Sequence, residues 1–107
     1  MMGVAQPNTE VPVVKSTSGV LFLSKDTART YEEEECIRCA RCVDVCPVRL
    51  SPTEIMKSVK ASSWNRVEGL WAMDCIECGA CAYVCPARIP LVQYLKTGKT
   101  ALKRIKR

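Results

Sequence analysis

Cys36-Ile37-Arg38-Cys39-Ala40-Arg41-Cys42-Val43-Asp44-Val45-Cys46-Pro47 is answered further along the chain by Cys75-Ile76-Glu77-Cys78-Gly79-Ala80-Cys81-Ala82-Tyr83-Val84-Cys85-Pro86. Both stretches carry the spacing C-x2-C-x2-C-x3-C followed by proline, at an offset of 39 residues. The match extends beyond cysteine, because Ile37 pairs with Ile76, Val45 with Val84 and Arg49 with Arg88, as in an internally duplicated unit. All 8 cysteines of the 107-residue chain lie in these two runs. The opening residues lack a basic flank leading into an apolar segment, so no secretory signal is read. Thiols in a non-exported chain stay reduced unless a metal or redox chemistry employs them. Histidine is absent, which excludes serine triads of the usual kind, mixed cysteine-histidine zinc fingers, Rieske centres and histidine-ligated haem.

Three thiolates at i, i+3 and i+6 on a tightly wound loop can face three irons of one cube, while the fourth, at the start of the next element, faces elsewhere. This run followed by proline is that of bacterial two-cluster ferredoxins, in which the fourth cysteine ligates the other cluster. By that rule cluster one is held by Cys36, Cys39, Cys42 and Cys85, and cluster two by Cys75, Cys78, Cys81 and Cys46. Four disulfides are disfavoured by a reducing compartment and by thiols separated by only two residues. Two zinc sites need only paired CxxC knuckles and give no reason for the third cysteine or for the prolines. Paired 4Fe-4S clusters account for both.

The length suits one small domain, or one domain carrying a strip of another. The longest apolar run, Ala80 to Cys85, is far short of the roughly 20 residues of a membrane-spanning helix. Within residues 1–35, Val11-Pro12-Val13-Val14-Lys15 and Val20-Leu21-Phe22-Leu23 read as two extended stretches around a turn at Ser16-Thr17-Ser18-Gly19. A lone ribbon is marginal in water, so these strands are expected to pack on the cluster domain or on something outside this sequence. The acidic run Glu32 to Glu35 reads as a solvated first turn. Residues 47–74 carry helical signals. Ser51-Pro52-Thr53-Glu54 forms a capping box with proline at the first helical position, followed by Ile55, Met56 and Val59 on one face. Trp64, Val67, Leu70 and Trp71 suggest a second helix with both tryptophans in the core. Pro90 opens a third, with Leu91, Val92 and Leu95 behind it and Gly98 as its stop.

Lys96, Lys99, Lys103, Arg104, Lys106 and Arg107 carry the basicity: the net charge is +5, and residues 1–95 alone stand at −1. Such a stretch can touch anionic lipid or an acidic partner, or simply form a helix face, the reading preferred here. Nucleic-acid binding is not expected, for want of interleaved aromatics and a reader motif. The chain thus divides into an extended segment over 1–30, a remnant of a preceding domain, a two-cluster ferredoxin-like domain over 31–98 and a basic tail over 99–107. The fold class is mainly α, with a short extended or β N-terminal segment.

The two cysteine runs, closed by Ile89-Pro90-Leu91-Val92-Gln93-Tyr94, resemble the ferredoxin-like region of the C subunit of the Rnf complex. The opening Met1-Met2-Gly3, with Pro12-Val13-Val14-Lys15 and Ser18-Gly19-Val20-Leu21, resembles the segment just upstream in that family. The resemblance implies a membrane-bound, ion-translocating oxidoreductase (a translocase) that moves electrons between NADH and ferredoxin. This chain is then peripheral on the cytoplasmic side, with only indirect membrane contact and with the other subunits, ferredoxin or flavin as partners. It also implies that FMN and NADH belong to a larger N-terminal region outside these residues, that the chain is part of a longer protein, and that no substrate active site lies in this segment. The helical ferredoxin fold is favoured over the compact β-hairpin form. One departure is Ala40, which stands where Gly79 does in the second run and where glycine is usual; a positive-φ turn is in question there.

The expected function is electron transfer through two 4Fe-4S clusters. Arg38 and Arg41 outweigh Asp44 in the first run while the second has Glu77 and no cation, so cluster one is expected at the higher potential. The alternatives are an iron-sulfur subunit of a heterodisulfide or glycerol-3-phosphate oxidoreductase, and a zinc-stabilised interaction module.

Overall fold

Proline opens the first long helix. Pro52 has no N–H to leave unsatisfied and its φ is already helical, so the chain winds from there through Lys60. The Ser51 carbonyl accepts the N–H of Ile55 at 3.1 Å. The expected capping box does not close: no side-chain bond caps this end. Glu54 turns instead to Lys57 and Arg66, each at 3.1 Å, because two cations within reach outcompete a backbone N–H for a carboxylate.

The computed structural model describes residues 3–107. Its elements are α1 (Arg41–Asp44), α2 (Pro52–Lys60), α3 (Trp64–Gly69), a turn of 3-10 helix (Ala72–Asp74), α4 (Ala80–Val84) and α5 (Leu91–Ile105). The architecture is mainly helical, and no strand occurs among the described residues. Helix α2 packs along α5, α3 bridges the two, and the short α1 and α4 lie against each other. The core is filled by Ile55, Met56 and Val59 of α2, Val67 of α3, Ile89, and Leu91, Leu95 and Leu102 of α5. Among the described residues, no helix is long and apolar enough to cross a membrane.

Three expectations need correction. Gly98 does not stop α5, which runs through it to Ile105. A Cβ on Gly98 would stand 3.0 Å from Val59 Cγ2 and 3.2 Å from Val67 Cγ1, so glycine serves here for the close approach of α5 to α2 and α3. The boundary placed after residue 98 therefore falls inside a helix, and most of the basic stretch is its last turns. Trp71 is not core: α3 ends at Gly69, the chain turns left-handed at Trp71 (φ 57°), and this residue is 70% exposed while Trp64 packs against the core.

The third correction concerns the N-terminal stretch. Its strands do not form, and residues 3–40 carry no helix or strand. A turn closes from the Thr17 N–H to the Val14 carbonyl at 2.9 Å, two residues before the expected place. Val13, Leu21 and Phe22 all face solvent, so nothing buries the apolar side that would hold a ribbon together. Met1 and Met2 lie outside the described residues. The acidic run is not a helical turn either. Glu33 is anchored by Lys60 and by the Tyr94 hydroxyl, which donates at 2.9 Å, and the Glu34 N–H reaches the Ala87 carbonyl at 3.0 Å. The Arg88 guanidinium lies 3.7 Å over the Tyr31 ring. Residues 31–36 form a strap that leads the chain onto the cysteine loops.

Candidate metal centre

The duplication in the sequence is a duplication of backbone conformation. Left-handed residues recur at the 39-residue offset: Arg38 and Glu77 (φ 56° and 58°), Ala40 and Gly79 (62° and 79°), Arg49 and Arg88 (55° and 55°). Ala40 keeps the turn that glycine would make more easily. Its carbonyl accepts the Asp44 N–H at 3.1 Å just as that of Gly79 accepts the Tyr83 N–H at 3.1 Å. Past each fourth cysteine the same turn closes, from Arg49 to the Cys46 carbonyl at 3.1 Å and from Arg88 to the Cys85 carbonyl at 3.2 Å. Each left-handed residue reverses the loop locally, so that the three cysteines of a run curl around one side.

The cysteines come together in two groups of four. Cys36, Cys39 and Cys42 share a small hollow with Cys85, walled also by Ile37, Thr53 and Ala87. Cys75, Cys78 and Cys81 share another with Cys46, walled also by Leu50, Pro52, Val92 and Leu95. Each hollow thus takes three thiols from one run and the fourth from the other. Cys42 on α1 and Cys81 on α4 occupy equivalent positions on the two packed helices. All eight thiols are free.

Burial raises the thiols of Cys42 and Cys75 above their ordinary value, with the neighbouring Cys85 and Cys46, respectively, adding to the effect. Burial pushes Cys81 up to about 11. Sulfurs so placed hold their protons against water, and a metal that binds them displaces those protons to solvent. Two backbone N–H groups already point at sulfur in the second hollow, Leu50 on Cys46 and Glu77 on Cys75, both at 3.3 Å.

Sequence reasoning missed one charge. The second hollow does not lack a cation: Lys99 of α5 places Nζ 2.8 Å from the Cys75 carbonyl and 2.7 Å from Glu77 Oε1. The ammonium holds the Glu77 carboxyl below the usual carboxylate range. This cation lies outside both motifs, and its sole signal in the sequence is its place one turn beyond Leu95 on the same helix. Arg38 and Arg41, on which the expected potential order rests, are exposed.

The donor set fits iron-sulfur clusters. Four sulfurs on one zinc stand only about 3.8 Å apart, and among the described residues no three Cys, Asp or Glu side chains converge to grip a single ion. Four thiols spread around an apolar hollow, with N–H groups aimed at sulfur, suit a cube with irons at its corners.

Comparison with known proteins agrees. The C subunit of the Na(+)-translocating ferredoxin:NAD(+) oxidoreductase complex of Acetobacterium woodii is 46% identical over 74 residues, 69% of this chain and 17% of that protein. The C subunit of the proton-translocating ferredoxin:NAD(+) oxidoreductase complex of Clostridium ljungdahlii is 45% identical over 53 residues, 50% of this chain and 12% of that protein. The C subunit of the ion-translocating oxidoreductase complex of Methanosarcina acetivorans is 42% identical over 74 residues, 69% of this chain and 17% of that protein. The matched part is therefore a small fraction of each relative's length. The family model for the 4Fe-4S dicluster domain matches residues 35–90, more than half of the chain and both cysteine runs. With two thiol-lined hollows of the matching kind, the chain belongs to the 4Fe-4S dicluster domain family.

Proposed function

We propose that this chain carries electrons through two 4Fe-4S clusters, one held by Cys36, Cys39, Cys42 and Cys85 and the other by Cys75, Cys78, Cys81 and Cys46, within a membrane-associated ion-translocating oxidoreductase. The observation that supports it most is the composition of the two hollows, each lined by three cysteines of one run and the fourth of the other. A bound cluster supplies one-electron chemistry. The chain's own residues hold it, exclude water and bias its charge. Leu50, Pro52, Val92 and Leu95 wall off the second hollow, while the N–H groups of Leu50 and Glu77 favour extra negative charge on sulfur. Helices α1 and α4 pack directly together and bring Cys42 and Cys81 between the hollows, a short route from one cluster to the other.

The named relatives are subunits of ion-translocating oxidoreductase complexes, which supports partners that are further subunits of such a complex; the proposal adds ferredoxin or a flavin as the exchanging redox group and a place on the cytoplasmic face of the membrane. In that setting NADH and FMN bind elsewhere in a full-length subunit, and this segment is a wire with no substrate site.

Anaerobic purification tests the reading. About eight irons and eight acid-labile sulfides per chain, with a brown colour bleached by dithionite, are expected; zinc without sulfide overturns it. The crossed ligation has its own check. The electron paramagnetic resonance spectrum of reduced Cys85→Ala is expected to match that of Cys39→Ala, and a match to Cys78→Ala instead would mean that each run serves its own cluster.

A further inference from the structure

Among the described residues, Lys99 is the one cation whose side chain is hydrogen-bonded to the backbone of a cysteine. Its side chain is only 15% exposed, and it is pinned at two points, the Cys75 carbonyl at 2.8 Å and Glu77 Oε1 at 2.7 Å. The carboxylate partner is the more exposed of the two, at 33%. The pair is therefore a dipole with its positive end seated on the backbone of a proposed ligand and its negative end toward water. An electron entering a cluster at that loop adds one negative charge there, and a cation bonded to the loop's own backbone in a partly dry site stabilises that charge far more than one in bulk solvent. The position 39 residues before Lys99 is Lys60, but it pairs with Glu33 with its side chain 48% exposed, and Arg38 and Arg41 are exposed and screened by water and salt. The position equivalent to Glu77 is Arg38, so the repeats differ here in sign as well as in partner.

The geometry points to Lys99 as the positioning residue that sets the reduction potential of the cluster on Cys46, Cys75, Cys78 and Cys81, raising it above that of its twin. This inference rests on the two-cluster reading and reverses the order expected from the charges of the motifs alone. Its sign is what separates it from mere bracing of the loop. Lys99→Gln removes the cation, so one midpoint falls; Glu77→Gln leaves the cation unneutralised, so the same midpoint rises. A bracing role predicts that both variants, which break the same ion pair, move in the same direction.

The experiment is a redox titration of anaerobically purified protein followed by electron paramagnetic resonance, after iron and sulfide have been counted. In Lys99→Gln the equilibrium constant for reducing one of the two clusters is expected to fall about tenfold, ~59 mV for one electron, with the other unmoved. Lys99→Arg restores it, and Glu77→Gln shifts the same midpoint upward. Lys106→Gln, which breaks the distant ion pair to Glu68, changes neither. Fully loaded protein in which the Lys99 and Glu77 variants shift together, or not at all, overturns the inference while leaving the two-cluster reading intact. Should Lys99→Gln fail to load, the direction of the Glu77→Gln shift decides. Wild-type protein without iron and sulfide refutes the underlying reading instead.

Discussion

At the scale of single residues the site is built from backbone angles that side chains normally avoid. Ala40 at φ 62° carries a Cβ in a region that disfavours it by about 1–2 kcal/mol. Ala40→Gly relieves that strain and gives back part of it as chain entropy, so the holoprotein is expected to gain about 0.5–1 kcal/mol. Denaturant unfolding under anaerobic conditions measures this, and an unchanged or lower midpoint counts against the strain. The same substitution leaves the iron count unaltered, because Ala40 already makes the turn. The equivalence of residues 40 and 79 was legible as a repeat of letters, and the sequence raised the right question there. What it could not carry was the answer, since the φ of a non-glycine residue is decided by the closure of the loop around it. Arg38, Arg49, Glu77 and Arg88 show the same thing: ordinary letters in left-handed positions, betrayed only by recurring in register.

Helices were legible where proline and apolar spacing agreed, as at Pro52 and again over Leu91, Val92 and Leu95. They were misread where one residue served a partner that the sequence does not show. Gly98 looks like punctuation and is instead a contact point, so α5 keeps going and delivers Lys99 to the second cysteine loop. Gly98→Val is expected to destabilise the protein by about 2–3 kcal/mol, as overpacking of a closed core does, because Val59 Cγ2 and Val67 Cγ1 already stand at 3.0 and 3.2 Å from the place of a Cβ. A thermal melt of the loaded protein checks this; an unshifted transition would mean that α5 rides free of α2 and α3. Trp71 is the converse error. Its spacing from Trp64 is helical, but the helix has ended two residues earlier. The extended N-terminal stretches failed for a related reason: alternation predicts a strand only where a second strand or an apolar surface receives it.

On the scale of the whole molecule, the Cα radius of gyration of 15.0 Å exceeds the ~13 Å of a compact chain of this length, since residues 3–30 are exposed throughout and add nothing to the core. What remains is a small helical body whose core is one layer of α2, α3 and α5, and domains of this size seldom stand on hydrophobic burial alone. The two four-thiol hollows take the place that further core would fill. Removing the metal by acid and chelator is accordingly expected to abolish most of the far-UV helical signal and the cooperative melt, as it does for other domains organised by metal. An apoprotein that keeps its native spectrum would show the helices to be self-sufficient.

Because each hollow borrows one wall from the opposite repeat, neither half of the sequence contains a finished container. A forerunner with only one repeat could have closed its hollows solely by embracing a copy of itself, the two chains trading their last cysteines. Fusion of two such genes would then have converted a partnership that depended on concentration into one fixed by the peptide bond, leaving Arg38 and Glu77 free to diverge in charge.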